Sequence, residues 1–214
     1  MRLYEDRVFP LLCDLATRGF EDRRRAIIAQ ATGDTLEVGV GTGHNLPHYS
    51  RRARAVVGLE LSPAMLRRAA ARARSVRRHN PAGPAIDLRL GDVGDLQFES
   101  ESFDTVVSFL VFCSLPDPAR AAAEIHRVLK PAGRLLVFEH VAASGGGRRW
   151  LQDRLNPVWR VFACGCNLNR DTGRILEEGG FDCRSVENLG RSLSPLATLP
   201  IIQGTAIKTV GNPS

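Results

Sequence analysis

The chain has 214 residues, enough for one large domain. With 43% hydrophobic and 24% charged residues it falls within the range of soluble globular proteins, which excludes a disordered, collagen-like or fibrous chain. The net charge is +6, but only two of the 29 basic residues are lysine (Lys130 and Lys208), so the charge reads as an arginine-rich, alanine-rich composition bias, and no nucleic-acid partner is expected. Five scattered cysteines without CxxC spacing argue against a disulfide framework or a zinc ribbon and point to a reducing compartment. No run reaches the 18 or more apolar residues of a membrane span, and the N-terminus carries acidic residues instead of a signal h-region. The expected location is cytoplasmic, with peripheral contact to a membrane left open.

Along the chain, residues 1–32 have helical periodicity and no strand signal. Short β-branched runs then follow at Leu36–Gly39, Ala55–Glu60, Ile86–Leu90, Thr105–Phe109 and Arg134–Phe138. Helical stretches separate several of them, from Pro63 to about Arg78 and from Pro118 to Leu129. Ser62 before Pro63 is a capping arrangement, and Lys130-Pro131-Ala132-Gly133 ends the second helix in a turn. Strand and helix alternating at this spacing predict a parallel sheet covered on both faces. After His140 a Ser144–Gly147 break leads to an amphipathic helix over Trp150–Phe162, interrupted by Pro157. A short helix at Asp171–Glu178 and strands at Cys183–Leu189 and Ile201–Val210 complete one domain spanning 1–214, with a cofactor-binding half at 33–140 and an acceptor-side half at 141–214.

Leu36-Glu37-Val38-Gly39-Val40-Gly41-Thr42-Gly43 carries the strongest signal: a strand running into a glycine-rich turn whose bare backbone can approach a ligand closely. The turn reads GxGxG, not the dinucleotide GxGxxG, and Glu37 at the strand end can face a cation. Glu60 closes the next strand, where a carboxylate accepts hydrogen bonds from both ribose hydroxyls of an adenosine. Gly91-Asp92-Val93 closes the third, where a carboxylate takes the adenine amino group. Three acidic residues at successive strand ends suit a ligand that is adenosine at one end and cationic at the other: S-adenosylmethionine.

With Val57–Met65, Ser102-Phe103-Asp104 and Arg127–Gly133, these segments resemble the successive motifs of class I S-adenosylmethionine-dependent methyltransferases over most of residues 33–140. The resemblance implies a Rossmann-like α/β fold: a seven-stranded, mostly parallel sheet, its last strand antiparallel, with helices on both faces. It also implies that Gly39, Gly41 and Gly43 line the methionine moiety, Glu60 holds the ribose, and Asp92 with Val93 hold the adenine. Leu61 and Met65 would pack beside the adenine ring, the Phe109 backbone would lie near the methionine amino group, and Asn45 would be a further contact. In the C-terminal half, Phe138–Ala143, Asn156–Trp159 and Gly165–Arg170, together with Val111–Ser114, are similar to the membrane-associated alkyl-thiol methyltransferases of the methyltransferase-like 7 group. The N-terminal hydrophobic anchor of that group's animal members is absent here, and Pro200-Ile201-Ile202 stands where a histidine tends to precede their last strand.

Methyl transfer from a sulfonium is an in-line displacement, so alignment and exclusion of water do most of the work. A thiol of pKa about 8.5 lies roughly 2 kcal/mol from its thiolate at pH 7, whereas a phenol near pKa 10 lies about 4 kcal/mol away and wants a positioned base. His140, closing the fifth strand, is the candidate base, or else a strand-end histidine bonded to backbone. Cys113 and Ser114 are expected to shape the pocket floor, and Trp150, Trp159 and Phe162 to cover an apolar substrate. Cys164 and Cys166 have no accompanying histidine or second pair nearby, so no metal site is expected. His44 and His48 are expected only to decorate the first loop. The expected enzyme methylates a small, apolar acceptor such as a thiol. The rival readings are a phospholipid or quinone methyltransferase, using Arg23–Arg25 and Arg148-Arg149 at an anionic membrane surface, and a cofactor-binding module without catalysis.

Overall fold

The computed structural model describes residues 14–15, 17–163, 165–190 and 200–209. Its strands are β1 (Gly33–Val38), β2 (Ala53–Glu60), β3 (Ala85–Leu90), β4 (Phe103–Phe109), β5 (Leu129–His140), β6 (Phe181–Asn188) and β7 (Ile201–Lys208). They form one sheet in the order β3-β2-β1-β4-β5-β7-β6, with β1 to β5 paired in parallel and β7 antiparallel to both its neighbours. The helices are α1 (Glu21–Ile28), α2 (Pro63–His79), α3 (Pro118–Val128), α4 (Gly146–Phe162) and α5 (Thr172–Glu178). The expected Rossmann-like sheet, with its last strand antiparallel, is therefore the observed one. The expected helices at 1–32 are described only from residue 14, and Cys13, Cys164 and Val210 lie outside the described residues.

Period-two alternation in the central strands builds a core on each face of the sheet. Leu36, Val38, Val106, Leu135 and Val137 face α3 and α5, where Ala121, Ala122, Ile125, Val128 and Leu176 close the layer. Val107, Leu136 and Phe138 face the other way, against Ile27, Ile28 and Ala69 of α1 and α2. Stacking of Phe109 on Phe138, with centroids 4.4 Å apart, fills that second layer just below the carboxyl ends of β4 and β5.

Local signals set most element ends. Ser62 Oγ accepts from the Met65 amide at the start of α2, and Asp117 does the same from the Arg120 amide at the start of α3, each followed by proline at the first helical position. Two boundaries differ from expectation. Lys130–Gly133, expected as a turn, lies within β5 as an irregular stretch with Ala132 at φ 57°, and Leu129 pairs with Phe103 before it, so β5 begins five residues earlier than the apolar run suggests. Helix α4 starts at Gly146 and runs through Pro157. Proline removes a single N–H there, and two side chains in the preceding turns anchor the helix: Gln152 accepts from the Ala143 amide and Asn156 from the Leu168 amide.

The strand order reverses between β1 and β4. In an open α/β sheet that reversal leaves a crevice outside the carboxyl ends of the two strands, which is where such folds place their ligands.

Candidate active site

The loop after β1 forms one wall of this crevice. Gly39, Gly41 and Gly43 have φ of 62°, 57° and 85°, the left-handed region that side chains with a Cβ occupy at a cost of roughly 1–2 kcal/mol. A Cβ on Gly39 would also stand 2.6 Å from Val111 Cγ2, so the bare position lets the segment after β4 close against the loop. A Cβ on Gly41 would meet nothing within 4 Å except the Gly39 carbonyl oxygen at 3.9 Å, so that position borders open space.

Glu60, at the end of β2, takes the Gly41 amide on Oε2 at 2.9 Å and the Ser62 amide on Oε1 at 2.8 Å. It therefore reaches the glycine loop while standing at the crevice edge. Leu61 beside it is 66% exposed, an apolar side chain with little protein cover, and Met65 one turn into α2 is half-buried. Beyond β3, Asp92 is exposed and accepts from the Gly94 amide, while Val93 is buried. Glu60, Leu61, Met65, Asp92, Val93 and the three glycines thus come to one edge of the sheet.

Glu37, expected to meet a cationic ligand with its carboxylate, has both oxygens engaged by the protein itself. It is buried, with Oε1 accepting from Asn45 Nδ2 at 2.7 Å and Oε2 from the Tyr49 hydroxyl at 2.8 Å. Burial raises its pKa to about 7 against the opposing pull of those two donors. Asn45 passes the chain on, since its Oδ1 accepts from Arg24 at 2.6 Å, and the Arg24 guanidinium lies 4.4 Å over the Phe109 ring. Glu37 and Asn45 therefore brace the loop from beneath. Arg24 corrects a second expectation: it points into the protein and does not join Arg23 and Arg25 in a surface cluster. His44 and His48 do more than decorate the loop, because their Nε2 atoms lie 2.9 Å from Asp14 and Glu21 and tie it to the N-terminal segment.

The opposite wall follows β4. Leu110 takes φ 60°, turning the chain abruptly after Phe109, and Glu139 Oε1 then collects the Ser108 hydroxyl and the amides of Val111 and Phe112. Glu139 is fully buried and its pKa is raised by that burial. This places Cys113 and Ser114 in a short 3₁₀ turn facing the end of β5. His140 is 7% exposed, and its Nε2 lies 2.9 Å from Cys166 Sγ. The neighbouring Cys113 thiol, reinforced by burial, pushes the Cys166 thiol well above its usual range, against the opposing pull of its hydrogen bond with His140. Trp159 Nε1 donates to the same sulfur at 3.4 Å. The donor atoms of Cys113, His140 and Cys166 all lie within 4.8 Å of one another, so the histidine that the sequence seemed to lack beside Cys166 is His140. Sequence reasoning passed over Arg24, Tyr49, Glu139 and Arg170 as site residues. Arg170, whose guanidinium holds the Phe112 and Leu115 carbonyls at 2.5 and 2.6 Å, was visible only as the end of a matched motif.

The family description "Methyltransferase domain" matches residues 36–137, which span the glycine loop, Glu60, Asp92 and the turn after β4 with Cys113 and Ser114. The chain is 32% identical to human thiol S-methyltransferase TMT1B over 217 residues, covering 94% of this chain and 86% of that protein. The chain belongs to the class I S-adenosylmethionine-dependent methyltransferases. It is also 40% identical to the phosphatidylethanolamine N-methyltransferase of Cereibacter sphaeroides, over 58% of this chain and 59% of that one. The crystal structure of the YcgJ protein from Bacillus subtilis superimposes with a TM-score of 0.70 at 16% identity, covering 90% and 99% of the two chains, and shares the fold. This methyltransferase therefore uses S-adenosylmethionine as its methyl donor. Among the described residues, no helix is long and apolar enough to cross a membrane.

Proposed function

We propose that this methyltransferase moves the methyl group of S-adenosylmethionine to a small, apolar thiol. The glycine loop and the Phe109 backbone hold the methionine end of the cofactor. Glu60 exchanges its amide partners for the ribose hydroxyls, in charge-assisted bonds worth roughly 1.5–3 kcal/mol each. Asp92 and Val93 take the adenine, with Leu61 and Met65 against its faces. Leu61 supports this reading, since its exposed side chain gains an apolar partner when an adenine ring lies there.

The observation that carries the acceptor reading is the chemistry of the β4–β5 wall. It presents two thiols, one imidazole and the half-buried Arg170, while its carboxylate, Glu139, is buried under three hydrogen bonds. A wall so poor in free bases suits an acceptor that needs only about 2 kcal/mol to ionise, and a cation nearby favours the thiolate. A thiol meets both conditions; a phenol or an amine is served less well. Similarity to a named thiol S-methyltransferase along most of both chains supports the same choice.

Turnover of methyl-labelled S-adenosylmethionine with alkyl thiols, phenols and amines tests this. Thiols should be methylated and the other classes should not; silence with every thiol while the cofactor still binds would favour a binding module without catalysis. His140→Ala should lower turnover roughly 10-fold or more while cofactor affinity holds, and an unchanged rate would remove His140 from the mechanism.

A second reading, a phospholipid methyltransferase at a membrane surface, is favoured by α4. This helix exposes Trp150, Leu155, Val158 and Val161 beside Arg148, Arg149, Arg154 and Arg160. An exposed apolar face flanked by arginines suits an anionic bilayer. Sedimentation with anionic vesicles at moderate salt separates the two readings, and absence of binding counts against lipid substrates.

A further inference from the structure

We infer that Cys113, His140 and Cys166 form a three-ligand site for a thiophilic divalent cation, with zinc the natural probe, whose fourth position is open to the acceptor. The ion site rests on the geometry of the three side chains alone; the role of the open position rests on the thiol reading above.

The three ligands come from separate parts of the chain: the turn after β4, the last residue of β5, and the loop after α4. Their donor atoms lie within 4.8 Å of one another, with His140 Nε2 and Cys166 Sγ 2.9 Å apart. Zinc bonds of roughly 2.3 Å to sulfur and 2.0–2.1 Å to nitrogen set tetrahedral ligands about 3.3–3.8 Å apart. The His140–Cys166 separation lies below that range and no separation exceeds 4.8 Å, so side-chain adjustments of about an ångström seat the ion. Two sulfurs and one imidazole, without a carboxylate among them, select a soft or borderline cation over magnesium, calcium or manganese.

The surrounding hydrogen bonds already hold the cysteines in place. The Cys113 carbonyl accepts from both the backbone amide and the side-chain amide of Asn167, at 2.8 and 3.0 Å, and Arg170 clamps the carbonyls flanking the Cys113 turn. The two cysteine-bearing segments are thereby joined through residues next to Cys166. Trp159 Nε1 donates to Cys166 Sγ, and Ser114 Oγ lies 3.5 Å from Cys113 Sγ, so each sulfur has an outer partner of the kind that orients metal ligands.

Structural zinc sites close with four protein ligands, whereas three leave a position for substrate. Here the cluster stands at the crevice, because Val111, two residues before Cys113, packs where Gly39 lacks a Cβ. Both cysteines lose their protons on binding the ion. An acceptor R–SH enters the fourth position as its thiolate, and its proton leaves to solvent. The thiolate sulfur forms the new bond to the methyl carbon as the sulfonium C–S bond breaks. That electron pair stays on the sulfur of S-adenosylhomocysteine, and the thioether, a weaker ligand, departs. In this arrangement His140 acts as a ligand and the cation lowers the acceptor pKa.

Purified full-length protein, dialysed against zinc and then against metal-free buffer, should retain one zinc per chain by elemental mass spectrometry. Cobalt in its place should give the intense sulfur-to-cobalt charge-transfer absorption of a thiolate site. Cys113→Ser, His140→Ala and Cys166→Ser should each lower retention at least tenfold with S-adenosylmethionine binding intact, which shows that the variants fold. Cys183→Ser, on β6, should retain the metal. No retained metal in the wild type, equal retention in a Cys113→Ser/Cys166→Ser double variant, or isolation of a Cys113–Cys166 disulfide in place of bound metal would overturn the site. Thiol turnover that persists undiminished in metal-free protein would overturn the ion's role while leaving the thiol reading intact. Retained metal with no thiol turnover would do the reverse.

Discussion

Replacing Glu37 with glutamine removes a carboxyl that the fold prefers to keep protonated. Its pKa is about 7 in the folded chain against an ordinary value of 4.5, because burial outweighs the hydrogen bonds from Asn45 and Tyr49. The sign follows from linkage. At pH below 4.5 the carboxyl is protonated in both folded and unfolded chains and contributes no pH dependence. Between 4.5 and 7 the unfolded chain loses its proton first, so folding weakens as pH rises. Above 7 the full difference, about 3 kcal/mol at roughly 1.4 kcal/mol per tenfold, is set against the fold. Glutamine keeps an acceptor oxygen for one donor, and the Tyr49 hydroxyl can rotate to accept from the new amide, so the variant should fold. Urea denaturation of both proteins from pH 4.5 to 8.5 reads the difference. The stability of the wild type minus that of Glu37→Gln should fall by about 3 kcal/mol across that window and level off above pH 8. A difference that stays flat, or rises with pH, would refute the reasoning that Glu37 is held by burial beneath the loop.

Three further outcomes follow from the geometry of the crevice. Glu60→Ala removes the ribose contacts and should weaken S-adenosylmethionine binding about 100-fold or more by calorimetry, with a thermal midpoint within a few degrees of wild type. Gly41→Ala should cost roughly 1–2 kcal/mol in unfolding free energy yet abolish measurable cofactor binding, because its Cβ points into open space beside the loop; retained affinity would mean that the cofactor does not approach this residue. Phe138→Ala, which empties a fully buried position stacked on Phe109, should destabilise the chain by about 3–5 kcal/mol in denaturant titrations.

The sheet and the glycine turn at its edge were legible in the sequence because their signals are local. A GxGxG turn after a β-branched run, Ser62-Pro63 opening a helix, and an acidic residue at or just past the end of β2 and of β3 all lie within a few residues of the feature they specify. Glu37 shows where such reading stops. Its position at a strand end is local information, but the face it takes depends on Tyr49 and Asn45 folding back beneath the loop. Arg24 is a sharper case: within the Arg23-Arg24-Arg25 run nothing marks the middle residue as the buried one, and only the helix face against Phe109 and Asn45 selects it. The Cys113–His140–Cys166 cluster was invisible for the same reason. Cys166 read beside Cys164 has no histidine nearby in sequence, whereas β5 and the loop after α4 bring His140 within 2.9 Å of it.

Incorporation of the labelled methyl group from S-adenosylmethionine, measured in one experiment with small alkyl thiols and with ethanolamine phospholipids presented in vesicles, tests the acceptor assignment most directly. The account predicts a labelled thioether as the product and no label in the lipid. Label in the lipid amine, with thiols left unmethylated, would contradict it.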